Sequence, residues 1–307
     1  MKRYCLPGLL TFLLLATLLP ATLLPATLVA ADAKQDHAFT DFIRISKPEG
    51  QRLPVSYDTA VARFVDEKNN AEVHLVGAVH IGDKEYYLEL NEIFKKYDAV
   101  LFELVADEGV KPDREKTSGE SPSMLSALQS GMGTALALEH QLDHINYRAG
   151  NMIHADLSPA EFARRVSERG DLVQMFYRAM ILGAKKSGGD AQKEELRMQG
   201  RLLGSFFAAD PALSLKRVLA EEMINQLDEA GWVIGGEGSA IITDRNDAAL
   251  QVLRRELENG KKKIAIFYGA AHLPEFAKSL ENDFQMKKTG VDWVIAWDLT
   301  RDQSARK

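Results

Sequence analysis

Two short stretches of this chain end alike in Gly-Ala-x-His: Gly77-Ala78-Val79-His80 and Gly269-Ala270-Ala271-His272. Each follows an apolar, strand-like run, Val73–Val76 and Ile264–Tyr268, and each precedes a helical pattern. An imidazole just past the end of a buried strand sits where α/β sheets collect their ligands, outside the carboxyl ends of the strands. Glycine there lets the chain turn sharply with no side chain in the way. Gly-x-x-His alone is a weak signal, because 22 glycines and 7 histidines in 307 residues give about half a match by chance. The shared order of strand, glycine, alanine, histidine and helix is what lifts the pair. If the two loops converge, they offer two imidazoles to one metal ion or one reacting group.

Glu103 is the third candidate. It ends the apolar run Val100-Leu101-Phe102, and a carboxylate there is either a strand end emerging into water or a buried charge that needs a partner. Two histidines and one carboxylate are a common set for a catalytic ion with open positions. Thr243-Asp244-Arg245-Asn246-Asp247 opens a helix upstream of His272. Asp244 reads as a candidate N-cap. Arg245 in a first turn opposes the helix dipole, which an anionic partner such as Glu103 or a substrate carboxylate would offset. His154 and Asp156 share one face at a strand end, where Asp156 either orients a ligand or caps the helix opened by Ser158. His140 and His144 have the i, i+4 spacing of helical zinc sites, yet Gln141 stands where a general-base glutamate would be, so they read as a solvated or packed face. His37 and His74 are assigned no role.

The elements that must position these groups follow from periodicity. Val61–Val65 and Glu72–Val76 alternate as two strands around a Lys68-Asn69-Asn70 turn. Asp83 is placed to cap a helix through Lys96, and Ala99–Glu103 is a short buried strand. Lys111–Ser123 reads as an exposed loop and Met124–Arg148 as helix. Met152–Ala155 is a strand. Ser158-Pro159-Ala160-Glu161 is a capping box with proline at the first helical position, opening a helix to about Arg169. Leu172 to Ala230 is nearly all helical, with breaks at Ser187-Gly188-Gly189 and Ala208–Pro211. A Gly235–Gly238 loop follows, then helices over Asp244–Asn259 and Pro274–Leu280. A closing hairpin of Phe284–Lys288 and Trp293–Trp297 turns at Thr289-Gly290. The expected fold is α/β (α+β): a central mixed sheet built from both chain ends, with a large helical middle segment, about 124–232, packed on it. One domain spans 54–300, after an exposed lead-in (32–53) and before a tail (301–307).

Lys2 and Arg3 precede an uncharged Leu/Ala/Thr-rich run, Leu9–Val29, and small residues at Ala30, Ala31 and Ala33. That is the layout of a secretory signal over residues 1–31. Pro20 and Pro25 disfavour the alternative, an uncleaved N-terminal membrane anchor. The expected location is therefore periplasmic or secreted, with no stable membrane insertion after cleavage. The one cysteine, Cys5, lies inside the signal, which leaves the mature chain no disulfide, thiolate nucleophile or Cys-based metal site. Cleavage would take the formal charge from −6 to −8 by removing Lys2 and Arg3. An acidic chain with no basic, aromatic-interleaved stripe argues against nucleic-acid binding. No Gly-x-Ser-x-Gly elbow or Walker loop is present, and Gly236-Glu237-Gly238 lacks a third glycine for dinucleotide binding.

Taken in order, Gly77–His80, Glu103, Asp244-Arg245-Asn246 and Gly269–His272 resemble the TraB/PrgY/GumN family, which includes the TIKI proteases, over roughly Pro54 to Trp297. The wider clan is similar to erythromycin esterases and ChaN-like haem-binding proteins, with an α/β core. The resemblance implies a divalent-metal site (Mn, Co or Zn) held by His80, Glu103 and His272, with Gly77 and Gly269 as the motif glycines. Arg245 and Asn246 would line the same site, and Asp156, read from its own strand-end position, is the further candidate to support it. It also implies an exported metal-dependent hydrolase, peptidase-like, acting on a peptide or small-molecule substrate. There Glu103 serves as ligand or general base, and Arg245 grips an oxyanion or carboxylate. The alternative it leaves open is a non-catalytic periplasmic protein that sequesters a peptide, haem or metal.

Overall fold

In the Lys263–Gly269 run, Ile264, Ile266 and Tyr268 face one way and Ala265 and Phe267 the other, and all five are buried. A strand apolar on both faces belongs in the middle of a sheet covered on both sides, and that is where it lies. The computed structural model describes residues 38–112, 136, 138–171, 174–175, 178, 189–235 and 239–300, and Asp36–Lys307 forms one compact unit. Its fold is mixed α/β. The main sheet contains β1 (Ile43–Ser46), β2 (Ser56–Asp66), β3 (Ala71–Ala78), β5 (Ala99–Phe102), β7 (Met152–His154), β8 (Lys263–Gly269) and β9 (Lys287–Asp298). The order is β1-β2-β3-β8-β5-β7, with β9 also paired to β2. A two-stranded ribbon joins β4 (Ile81–Gly82) to β6 (Glu139–His140).

The β2–β3 hairpin has Val61 opposite Val76 and Asp66 opposite Ala71. Its turn is closed by the Asp66 carboxylate, which accepts from the Lys68 and Asn69 amides. From β3 onward the sheet is parallel: β3 pairs β8, β8 pairs β5 and β5 pairs β7. Strands from the two chain ends thus alternate, and their carboxyl ends all leave the same edge. Ala78 lies opposite Gly269, so the two Gly-Ala-x-His motifs are neighbours one residue out of step.

One face of the sheet packs Val76, Phe102, Phe267 and Trp297 against α1 (Lys84–Phe94) through Tyr86, Tyr87, Leu90 and Phe94. The other packs Leu75, Leu101 and Ile266 against α6 (Thr243–Glu258) and α7 (Leu273–Asn282) through Leu253 and Phe276. Each such side chain contributes about 1.5–3 kcal/mol when fully buried. Between the strands run α2 (Gln141–His144), α3 (Pro159–Arg169), α4 (Gly189–Ser205) and α5 (Pro211–Gly235). The Ser158 hydroxyl accepts from the Glu161 amide and Gly170 closes α3 in the left-handed region, as the capping pattern predicts. Among the described residues no helix is long and apolar enough to cross a membrane.

Several expectations need correcting. The lead-in is not wholly exposed: β1 lies within it, Phe42 and Ile43 are buried, and Arg44 both bonds Asp58 and stacks on Trp293. Four residues of strand are too short a period to stand out. Leu138–Arg148 is not one long helix, because β6 is drawn off to pair with β4 and leaves α2 a single turn. His140 and His144 therefore share no helix face. His144 instead stacks on Tyr87. The closing hairpin is one continuous strand, β9, running along β2 with a bulge opposite Arg63/Phe64 that absorbs Thr289. Asp83 is the N-cap residue of α1, as read, but its side chain makes no capping bond. Its carboxylate meets the fully buried Lys216 ammonium of α5 at 2.9 Å and accepts from the Asp298 amide at 2.6 Å. The predicted signal, the loop from Asp113 to Ser123, most of the segment after it, Gly236–Gly238 and the tail lie outside the described residues.

Candidate functional site

At the carboxyl edge, β5 delivers Glu103, β7 delivers Asp156, and β8 runs through Gly269 into a short 3-10 turn ending at His272. The first turn of α6 projects Arg245 and Asn246 at the same place. Glu103 is the hub. Its Oε1 takes a 2.7 Å hydrogen bond from Arg245 Nη2, its Oε2 a 2.6 Å bond from the Gly269 amide, and His272 Nε2 lies 3.8 Å from Oε1. A Cβ at position 269 would come within 3.2 Å of Glu103 Oε2. Glycine is what allows the backbone to approach the acid there. At Gly77 a Cβ would press on Thr59 at 3.3 Å, so that motif glycine serves packing between strands.

Arg245 is held from its other side by Asp156, Nε to Oδ1 at 3.0 Å and Nη2 to Oδ2 at 2.6 Å. One buried guanidinium thus bridges the fully buried Asp156 carboxylate and the partly buried Glu103 carboxylate. Burial works against its charge, but Asp156 and Glu103 outweigh that and raise its pKa further. Asp156 is neither a cap for α3 nor free for substrate. Asp244 is not the N-cap of α6 either: the cap position is Ile242, and Asp244 accepts two bonds from Arg169, at 2.8 and 2.5 Å, which ties α3 to α6.

Asn246 fixes the imidazole. Its Nδ2 donates to the His272 carbonyl at 3.3 Å, which turns its Oδ1 toward His272 Nδ1 at 2.7 Å. That network assigns the proton to Nδ1 and leaves a lone pair on Nε2, the nitrogen facing Glu103. Burial pushes His272 down to about 4, with the Glu103 charge only partly opposing it, so the ring is neutral at neutral pH. For Glu103, burial opposes ionisation, yet His272, Arg245 and the Gly269 amide together hold its carboxyl down to about 2. An ionised carboxylate and an imidazole lone pair therefore face each other.

His80 sits between β3 and β4, exposed, with its carbonyl accepting from the Gln141 amide at 3.0 Å. It is near enough for its charge to act on both Glu103 and His272. Among the described residues no group of three or more His, Cys, Asp or Glu side chains is arranged to hold a metal. Glu103 and His272 have the donor chemistry for two positions of a Zn²⁺ or Mn²⁺ shell, and Asn246 makes the contact that ligating histidines use to orient the ring. His80, the third residue of the expected set, is exposed on the adjoining loop and is not grouped with them as a ligand.

Sequence reasoning missed Tyr268, whose hydroxyl bonds the Ala155 carbonyl and whose ring edge packs 5.2 Å from His272. Its place just before Gly269 was the available signal. It also missed Gln141, whose amide donates 2.7 Å to Tyr147 beside Phe102. His154 turns away and bonds the Leu104 carbonyl at 2.6 Å. Nearby, a cavity of about 370 Å³ is bounded by Ala106, His154, Asp156, Leu157, Arg165 and Val252. No protein-family model matches the chain, and no curated protein matches it.

Proposed function

We propose that this chain is an exported, divalent-metal-dependent hydrolase of peptidase-like character, related to the TraB/PrgY/GumN proteins. The observation that carries the reading is the His272 Nε2 lone pair turned by Asn246 toward an ionised, partly buried Glu103. Two electron-pair donors facing each other across 3.8 Å repel unless a cation or proton lies between them. His272, Glu103 and His80 would hold the ion. Bound there, a divalent cation would supply a Lewis acid and a water ionised near neutral pH.

The chain's own residues divide the remaining work. Glu103, held by Arg245 and the Gly269 amide, contributes negative charge as a ligand, or acts as the general base for the bound water. Arg245 keeps Glu103 ionised and its geometry fixed, while Asp156 anchors Arg245. The cavity bounded by Leu157 and Val252 shares Asp156 with this group but is lined by none of Glu103, Arg245, Asn246 or His272.

The test is metal analysis of the purified protein, followed by digestion of a peptide library with added Mn²⁺, Co²⁺ or Zn²⁺. Cleavage that chelator, His80→Ala and His272→Ala each abolish supports the proposal. A metal-free protein that cleaves nothing under any of these ions overturns it, and retention of peptide without turnover would favour the sequestering role.

A further inference from the structure

α4 is tied to α5 by the Ser205–Ser214 hydroxyl pair and the Arg201–Glu221 ion pair, while Lys193, Leu196, Gly200, Leu203 and, just past its end, Phe207 are exposed. The positions are spaced 3, 4, 3 and 4 residues apart, which is the period of a helix-pairing seam. Leu196 is 70% exposed, Leu203 63%, Phe206 64% and Phe207 89%. Glycine in a helix interior costs about 1 kcal/mol against alanine, yet Gly200 and Gly204 answer no need inside the molecule: a Cβ at either would meet nothing within 4 Å. Close approach of another backbone would explain them.

We propose that this face is the self-association surface of the protein, with α4 of one copy packed on α4 of a second across a two-fold axis. Burying the four large side chains removes roughly 600 Å² per copy. The pair then totals about 1,200 Å², the lower edge of what stable interfaces bury. A two-fold pairing needs a patch that complements itself, and a narrow apolar seam with small residues at its centre does so. A lipid surface fits less well, because α4 and α5 together are net acidic and Arg201 is already paired with Glu221.

Sedimentation velocity on the purified protein, at micromolar concentration, tests this. The expected result is a dimer that Leu203→Glu and Phe207→Asp each weaken more than about tenfold, with thermal melting of the resulting monomer still cooperative. Gly200→Gln, which adds bulk at the seam and improves helix propensity, should also dissociate the dimer. A wild-type monomer overturns the proposal, and so does a dimer indifferent to all three substitutions. Co-sedimentation of monomer with vesicles of mixed zwitterionic and anionic phospholipid, lost in Phe207→Asp, overturns it in favour of a membrane contact.

Discussion

His74 and His272 are both buried, and burial is the main reason that both are held near 4. His74 lies near the amino ends of the parallel strands. There Nδ1 shares a 2.8 Å bond with the Tyr97 hydroxyl, Nε2 is 3.4 Å from the half-exposed Glu72, and Lys263 adds to the downward push. A hydroxyl both donates and accepts, so Tyr97 leaves the proton of His74 free to sit on Nε2, where it faces the Glu72 carboxylate. His272 stands at the other edge, where Asn246 can only accept at that nitrogen and the ring must present a lone pair to an acid. The contrast shows that a depressed imidazole is not a site by itself. What marks the carboxyl edge is a fixed tautomer opposite an ionised carboxylate that is itself pinned by Arg245.

The largest effect should come from the pin. Arg245→Met strands Glu103 and Asp156 as neighbouring unpaired carboxylates, and the loss should be about 3–5 kcal/mol in urea unfolding at neutral pH. A loss below about 1 kcal/mol would show the bridge to be no tighter than a surface pair.

Next comes acid. The folded His74 binds its proton near 4 and the unfolded chain near 6.5. Between those values the unfolded state holds more protons, so the contribution is complete above about pH 6.5 and is lost as pH falls toward 4. The loss is on the order of 3 kcal/mol. His74→Phe should therefore retain more of its neutral-pH stability at pH 4.5 than wild type does. Equal losses in the two proteins would remove His74 as the cause.

Asn246→Ala should cost about 1–2 kcal/mol of stability. It should also weaken Mn²⁺ or Zn²⁺ binding by roughly 10- to 100-fold, measured by titration calorimetry, because the ring loses its orientation. Unchanged affinity would detach the tautomer from ligand binding. The smallest effect belongs to an exposed pair: Glu92→Ala breaks the 2.5 Å contact with Lys95 and should shift stability by less than about 0.5 kcal/mol.

Much of this was legible where the signal is local. The alternation in β3 and β8, the Ser158 cap and the strand-ending Glu103 are patterns a few residues long, and the structure places them as read. The α/β class followed from strands at both chain ends. What stayed hidden depends on partners far along the chain. β6 pairs with β4 instead of continuing a helix, Trp293 lies in a single long strand because β2 is long enough to hold it, and Asp83 answers Lys216 of α5. The site shows the same divide. Its residue types were readable, but Asp156 binding Arg245, and Asn246 turning His272, are contacts between separate elements that no spacing announces.

The ammonium of Lys216 has one further consequence. Peeling α5 away from the strands would leave the buried Asp83 carboxylate without its counter-charge and with only the Asp298 amide, so the first half of that helix has no cheap way to breathe. Its amides should exchange with solvent only when the whole molecule opens. The helical arm is thereby bolted through Lys216 to the strand end at Asp298 and to Asp83, just past the loop that carries His80.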